Sequence, residues 1–175
     1  MINIENLYHI SFDIAGIHFD AFSTRKGISK LYLNANPDRF NDIKKTKLHP
    51  DDPFMFNIYT ELKEYFNHQR KKFDVILDVK GTPFQKRVWK QLQKISFGEI
   101  VSYKFIAEKI RQPKAFRAVG HANALNPVAI IIPCHRVVNV DGNLGGYAAG
   151  LSIKEKLLEL EGCKSLDLFN SIDVN

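Results

Sequence analysis

Apolar and polar residues alternate from Tyr8 to Ile14 and again from Ile17 to Phe22, with Ala15-Gly16 between them. Alternation sends successive side chains to opposite faces of a strand, and two such runs around a short turn signal read as a hairpin. Ile28 to Leu33 reads as a third strand. Asn34 to Asp52 is polar and is broken by Asn36-Pro37 and His49-Pro50, so a loop with a short helix is expected there. Asp52-Pro53 has the form of a cap followed by a proline in the first helical turn. Phe54, Phe56, Ile58, Leu62 and Phe66 supply that helix with its apolar positions. Phe73 to Val79 reads as a further strand, and Gly81 as a hinge.

Beyond Gly81 the pattern becomes helical. Thr82-Pro83 repeats the cap logic, and Phe84, Val88, Trp89 and Leu92 form one stripe. Tyr103 to Ile110 is a second helix, ended by Arg111-Gln112-Pro113, and Lys114 to Leu125 is a third. Two helices around so short a break have the form of a helix-turn-helix. The third helix is rich in small residues: Ala115, Ala118, Gly120, Ala122 and Ala124. Small side chains let a backbone approach a nucleic-acid groove or a neighbouring helix, and the pattern leaves both open. The apolar run Val128 to Ile132 reads as a buried strand that delivers Cys134 at its end. The expected division is therefore 1–80, 81–163 and a tail, 164–175. No internal repeat and no low-complexity segment is present.

Hydrophobic residues make up 45% and charged residues 25% of 175, the profile of a soluble globular protein. The first residues carry no basic region ahead of an apolar core, so no signal peptide is expected. No apolar stretch approaches the roughly 20 residues of a membrane helix. Cys134 and Cys163 are the only cysteines, too few for a stapled secreted scaffold. An intracellular, reduced, cytoplasmic protein is expected, associated with the nucleoid in a bacterial or archaeal cell. The net charge is +6, and its distribution changes the picture. From Lys80 to Gly162 there are 13 Lys and Arg against 6 Asp and Glu, a charge of +7. The remainder carries −1. A basic half attracts polyanions by releasing their counterions, so nucleic acid is the expected partner.

That same half holds Pro133-Cys134-His135-Arg136. The proline restricts the backbone at its own and the preceding position. Cationic or hydrogen-bonding neighbours raise the thiolate fraction of a cysteine, which is how a sulfur nucleophile is prepared. A small buried hydrophobe is the other reading of a free cysteine. The local context leaves both open. Cys134, His135, His121 and Cys163 match no familiar zinc spacing, so no metal is expected.

Longer-range agreement is more specific. Asn126-Pro127-Val128, Ile132 to Val138, Gly142, Gly145-Gly146-Tyr147, Lys154 to Leu158 and Glu161-Gly162 resemble the O6-alkylguanine-DNA alkyltransferase family. So do Phe84-Gln85, Val88-Trp89, Gly98 to Tyr103 and Arg117 to Gly120. The similarity runs from about Thr82 to Gly162 in one order, whereas the first 80 residues match only in their strand-rich pattern.

The resemblance implies a small α/β N-terminal domain of sheet plus helix, ribonuclease H-like, followed by a mainly α domain with a helix-turn-helix. It implies direct-reversal repair of double-stranded DNA carrying O6-alkylguanine by a cofactor-free monomer. Cys134 would be the nucleophile, linked through a water to His135, which Glu161 orients. Tyr103 would support the departing guanine and help turn the phosphate, and Asn126 would brace the turns of the site. Arg117 would fill the stack after the base is rotated out, with Lys114, Ala118 and Asn123 also against DNA. Tyr147, Ala148, Ala149 and Val137 would form the substrate pocket, under the loop from Gly142 to Gly150. Some relatives hold zinc in the N-terminal half; this chain has no cysteine there, so none is expected. The rivals are a non-enzymatic sensor of alkylated DNA, a helix-turn-helix regulator with a reactive cysteine, and a cysteine hydrolase. Cys134 itself argues against the sensor.

Overall fold

The computed structural model describes residues 7–49, 52 and 55–163. Pro53, Phe54, the Phe56 side chain and the 164–175 tail fall outside them. The chain forms two compact units, Met1–Lys80 and Gly81–Asn175.

In the first unit, β1 (Leu7–Ile14) and β2 (Ile17–Thr24) are the expected hairpin, paired in register from Tyr8↔Ser23 to Ile14↔Ile17. Ala15 and Gly16 both take positive φ, 53° and 73°, the turn whose twist matches the strands it joins. The third strand, β3 (Gly27–Leu33), adds antiparallel to β2 after a register shift at Phe22/Ser23. A short strand that the polar pattern hides, β4 (Lys45–Lys47), runs parallel to β1, and Pro37–Phe40 forms a 3-10 turn. The sheet order is β3-β2-β1-β4. The helix α1 (Phe56–Phe66) brings Ile58, Leu62, Tyr65 and Phe66 into the core. Phe19 meets Phe66 edge-on at 5.9 Å, and Phe12 meets Tyr59 at 5.2 Å.

Two expectations fail in this unit. The helix is not capped at Asp52: it starts after Met55, which makes no side-chain cap bond and is buried. Asp52 O accepts from Met55 N at 2.9 Å, and packing of the apolar Met55, with no side-chain cap bond of its own, sets the start. Phe73 to Val79 is not a strand but an extended segment with one bridge, Ile28↔Leu77. Two backbone bonds hold it to Ile28, from Ile28 N to Ile76 O and from Asp78 N to Ile28 O, both 2.8 Å. Side chains add to them, with Glu61 accepting from Asp74 N and Arg70 bonded to Glu64 and Asp74. Gly27 is required where that segment passes, because a Cβ there would lie 2.4 Å from Ile76 O.

In the second unit, α2 (Pro83–Leu92) has a full capping box. Thr82 Oγ1 accepts from Gln85 N at 3.2 Å, and Gln85 Oε1 accepts from Thr82 N at 2.8 Å. Val88, Trp89 and Leu92 are buried, and Trp89 Nε1 donates to Ala122 O at 2.8 Å. At Gly81, where the two compact units divide, a Cβ would fall 2.5 Å from the Trp89 ring, so close packing favours a glycine there. A two-residue strand, β5 (Val101–Ser102), leads into α3 (Tyr103–Lys109), which Ser102 caps through Phe105 N. Arg111 with φ 59° and a 3-10 turn at Pro113–Ala115 then lead into α4 (Phe116–Ala124). The third helix therefore starts two residues later than expected, because the proline tightens the turn ahead of it.

The run Val128 to Ile132 is not a strand. It folds back on itself, with Ile132 N bonded to Val128 O at 3.0 Å and Ile130 at φ +70°. A β-branched residue in that region is strained. Asn126 holds the fold-back: its Oδ1 accepts from Val128 N and its Nδ2 donates to Ile132 O. The apolar run marks burial rather than extension, since Val128, Ile130 and Ile132 are all buried. Cys134 then opens a 3-10 turn, Cys134–Arg136, instead of ending a strand. After β6 (Val137–Val138), parallel to β5, the loop to Gly150 leads into α5 (Leu151–Leu160).

The capping box predicts that Thr82→Ala destabilises the second unit by about 1 kcal/mol without changing the fold, read by urea denaturation.

Candidate active site around Cys134

The turn that carries Cys134 is held from α4 and the loop after it. Asn123, in the last turn of α4, donates to Cys134 O at 3.2 Å. Asn126 donates to Cys134 Sγ at 3.0 Å. Burial pushes the thiol pKa up; Asn126, the Tyr147 hydroxyl and the positive charge of Lys154 pull it back only in part. The resting thiol is therefore protonated, and an attack needs a proton acceptor.

The neighbouring His135 is fully buried, and its Nε2 lies 2.9 Å from Glu161 Oε1. Glu161 ends α5 and receives more than the imidazole. Arg136 donates through Nε at 2.8 Å and through a terminal nitrogen at 2.7 Å, and Gly98 N donates at 3.1 Å. Arg136 also donates to Ile95 O at 2.6 Å. Burial alone would raise the Glu161 pKa, but His135 and Arg136 outweigh it and hold the carboxyl down at about 2. Burial lowers the His135 pKa, against the pull of Glu161. A neutral imidazole facing a carboxylate carries its proton on Nε2, which leaves Nδ1 as an acceptor. That Nδ1 is buried with no protein partner among the described residues.

Lys154 is the side chain that sequence reasoning missed. It is fully buried on α5, with Nζ donating to Val137 O at 2.6 Å and to Leu144 O. It thus ties β6 to the following loop, and burial lowers its pKa to about 8. The signal was legible: Lys154 stands three and four residues before Leu157 and Leu158, on the apolar face of its own helix.

A cleft of about 750 Å³ lies beside these groups, lined by α3, α4 and the loop between β6 and α5. Tyr103, Arg117, Tyr147 and Ala148 line it. Burial and the nearby Cys134 raise the Tyr103 pKa, while Asn123 draws it down. Gly145 lets the loop pass close, since a Cβ there would lie 3.2 Å from the Tyr103 hydroxyl. Other residues are placed differently. Asn123 is buried and faces the cysteine turn rather than the surface, and Val137 is buried in β6, outside the cleft lining. Ala118 and Ala149 are also outside that lining, and Lys114 is exposed on the turn before α4. Among the described residues no group of three or more His, Cys, Asp or Glu side chains is gathered as a metal site.

Residues 83–163 match the family model described as 6-O-methylguanine DNA methyltransferase, DNA binding domain. A methylated-DNA–protein-cysteine methyltransferase of Methanosarcina mazei is 50% identical over 125 residues, which are 69% of this chain and 78% of that protein. This chain belongs to the methylated-DNA–protein-cysteine methyltransferase family. A family member from Mycobacterium bovis is 49% identical over 67% of this chain and 71% of its own. Among solved structures, Mycobacterium tuberculosis O6-methylguanine methyltransferase aligns at TM-score 0.79 and 37% identity, covering 89% of this chain and 92% of that one. The structure of Mycobacterium tuberculosis OGT in complex with DNA aligns at TM-score 0.80 and 38% identity, covering 93% and 99%. A small sheet unit plus a helical unit is thus a methyltransferase fold.

The Glu161 cluster has a pH signature. The folded pKa lies below the unfolded one, so its stabilisation is complete above about pH 4.5 and is lost as the pH falls through about 2. His135, also lowered, acts in the same direction over a higher window. Urea denaturation across this acid range will show stability falling, and Glu161→Gln, which leaves Arg136 buried without its anion, will cost about 3–5 kcal/mol at neutral pH. Lys154→Met will push the Cys134 thiol pKa further up, so its alkylation by iodoacetamide shifts to higher pH. An unchanged pH profile would remove Lys154 from the electrostatics of the thiol.

Proposed function

We propose that this protein repairs DNA by direct reversal, moving the methyl or alkyl group from O6 of guanine in duplex DNA onto Cys134 Sγ. The observation that carries the reading is a buried thiol next to a neutral imidazole, itself held by a carboxylate at hydrogen-bond distance, beside a cleft in a basic unit. The family membership supplies the substrate class.

The residues divide the work. His135 Nδ1 accepts the thiol proton through a bridging water, and Glu161 holds the imidazole in that tautomer. Sulfur attacks the alkyl carbon in line with the C–O6 bond. The S–C bond forms as C–O6 breaks, and the electron pair leaves with the guanine. Tyr103, kept protonated by its raised pKa, donates toward the base as negative charge develops there. The proton lost by the thiol balances the one regained by guanine, so the net products are thioether and guanine. No cofactor enters. A thioether has no easy return to thiol, so one chain repairs one lesion. O4 of thymine is a chemically equivalent, secondary target.

The 1–80 unit is the structural domain, ribonuclease H-like in its hairpin-led sheet and helix. The 81–163 unit is the DNA-binding and alkyltransferase domain, and 164–175 is a tail. Its α3 and α4 act as a helix-turn-helix that approaches the minor groove, a placement suited to a protein that reads damage rather than sequence. The guanine is rotated out of the stack, at a cost lowered by its weakened pairing. Arg117 fills the space it leaves. Lys114 and the Ala118 backbone face phosphates, and Tyr147, Ala148 and Ala149 border the flipped base. Asn126 braces the cysteine turn, while Asn123 and Val137 act from beneath as supports. Such a monomer works where the chromosome is, in the cytoplasm and on the nucleoid of a bacterial or archaeal cell. No described helix is long and apolar enough to cross a membrane.

Incubation with a duplex carrying one O6-methylguanine will add one methyl, about 14 Da, to the intact mass of the protein, on Cys134 and not in Cys134→Ala. Tight binding without a mass change would overturn the transfer and leave a damage sensor.

A further inference from the structure

Phe116, the first residue of α4, is a large apolar side chain left 45% exposed. Scattered surface hydrophobics are ordinary, so exposure alone carries nothing. Its placement does. Phe116, Gly120 and Ala124 stand four residues apart, hence on one face of α4, and all three line the cleft. Glycine and alanine make that face smooth except at its first position. Arg117 lines the same cleft, with its guanidinium carbon 5.8 Å from the centre of the Phe116 ring. Lys104 of α3 and Val140, 57% exposed in the loop after β6, join them in the lining. The mouth of the cleft thus combines two cations with an aromatic ring and an aliphatic side chain. Phosphate attracts the cations, while the ring, beside the Arg117 guanidinium, turns apolar surface to the cleft.

A duplex laid along this face comes close to the helix at Gly120 and Ala124 and then meets the ring. Apolar side chains in that situation enter base steps as wedges, and a ring stacks on any base because every base has a π-face. We propose that Phe116 is a second wedge beside Arg117, entering the stack next to the extruded guanine and stacking on a base flanking the gap. The inference rests on the repair reading above and adds to it a contact by which base rotation is favoured without sequence preference. The stacking offsets part of the cost of opening the duplex, so Phe116 acts on rotation and not on the methyl transfer itself.

The test compares wild-type protein, Phe116→Ala and Phe116→Tyr on two substrates in single turnover. One is a duplex with a single O6-methylguanine, and the other is the free base O6-benzylguanine. Removing the ring will slow the duplex reaction by about tenfold or more, leave the free-base reaction unchanged, and be rescued by tyrosine. The exposed position will leave the thermal midpoint of Phe116→Ala where it was. Phe116→Ala within about twofold of wild type on the duplex, or slowed equally on both substrates, would overturn the wedge. Failure of the wild type on both substrates would instead sink the repair reading. The wedge is then read from the fluorescence of a duplex with 2-aminopurine beside the lesion. A change on binding wild type that is lost with Phe116→Ala supports it, and identical signals overturn it.

Discussion

The carboxylate of Glu161 is the interaction on which the second unit depends. It closes α5, and it receives the buried imidazole of His135, the fork of Arg136 and the backbone N–H of Gly98. Arg136 extends the same node to Ile95, just past α2. One anion thereby links the end of α5, the turn after Cys134 and the segment between α2 and β5. A buried carboxylate is costly unless its lone pairs are met, and here four donors meet them. The arrangement fixes the imidazole tautomer as a by-product of holding the fold, so stability and chemistry rest on one group.

The thiol is handled in the opposite way. Glu161 is kept charged by its neighbours, whereas Cys134 is kept neutral by burial, with Asn126, Tyr147 and Lys154 moderating the shift. A sulfur that reacts once and cannot be regenerated is best left inert until its substrate is in place. Lys154 contributes at two levels. Its ammonium lies within electrostatic reach of the sulfur, and its bonds to Val137 O and Leu144 O tie β6 to the loop that borders the cleft. Gly145 then allows that loop to approach the Tyr103 hydroxyl. The cleft is consequently built from a helix face with little side-chain volume on one part and a loop pinned by a buried cation on another.

Much of the architecture was legible in one dimension. The Ala15-Gly16 hairpin and the Thr82-Pro83 helix start are local devices, in which a few adjacent residues choose the backbone conformation. Both form as read, and the structure adds the reciprocal bond from Gln85 at Thr82. The polar stretch that conceals β4 was not legible, because a three-residue strand of Lys-Thr-Lys draws its pairing from β1 rather than from its own pattern. The run Val128 to Ile132 misled for a related reason: an apolar run reports burial, and burial is compatible with a fold-back as well as with a strand. Within the site, Cys134, His135 and Glu161 were reached through the resemblance to the alkyltransferase family, but the burial of Asn123 and Val137 and the position of Lys154 required the folded chain.

By itself the sequence determined the residue types that chemistry needs: a thiol beside an imidazole, a carboxylate a fixed distance down the chain, and a basic half to meet a polyanion. It also determined where the Thr82 helix and the hairpin begin, since those rest on hydrogen bonds between near neighbours. Only the tertiary structure decided which of the polar groups are enclosed together, which nitrogen of His135 faces the carboxylate, and which side chains open onto the cleft. Those properties follow from burial and from contacts between residues far apart in the chain. Neither quantity exists until the elements have packed.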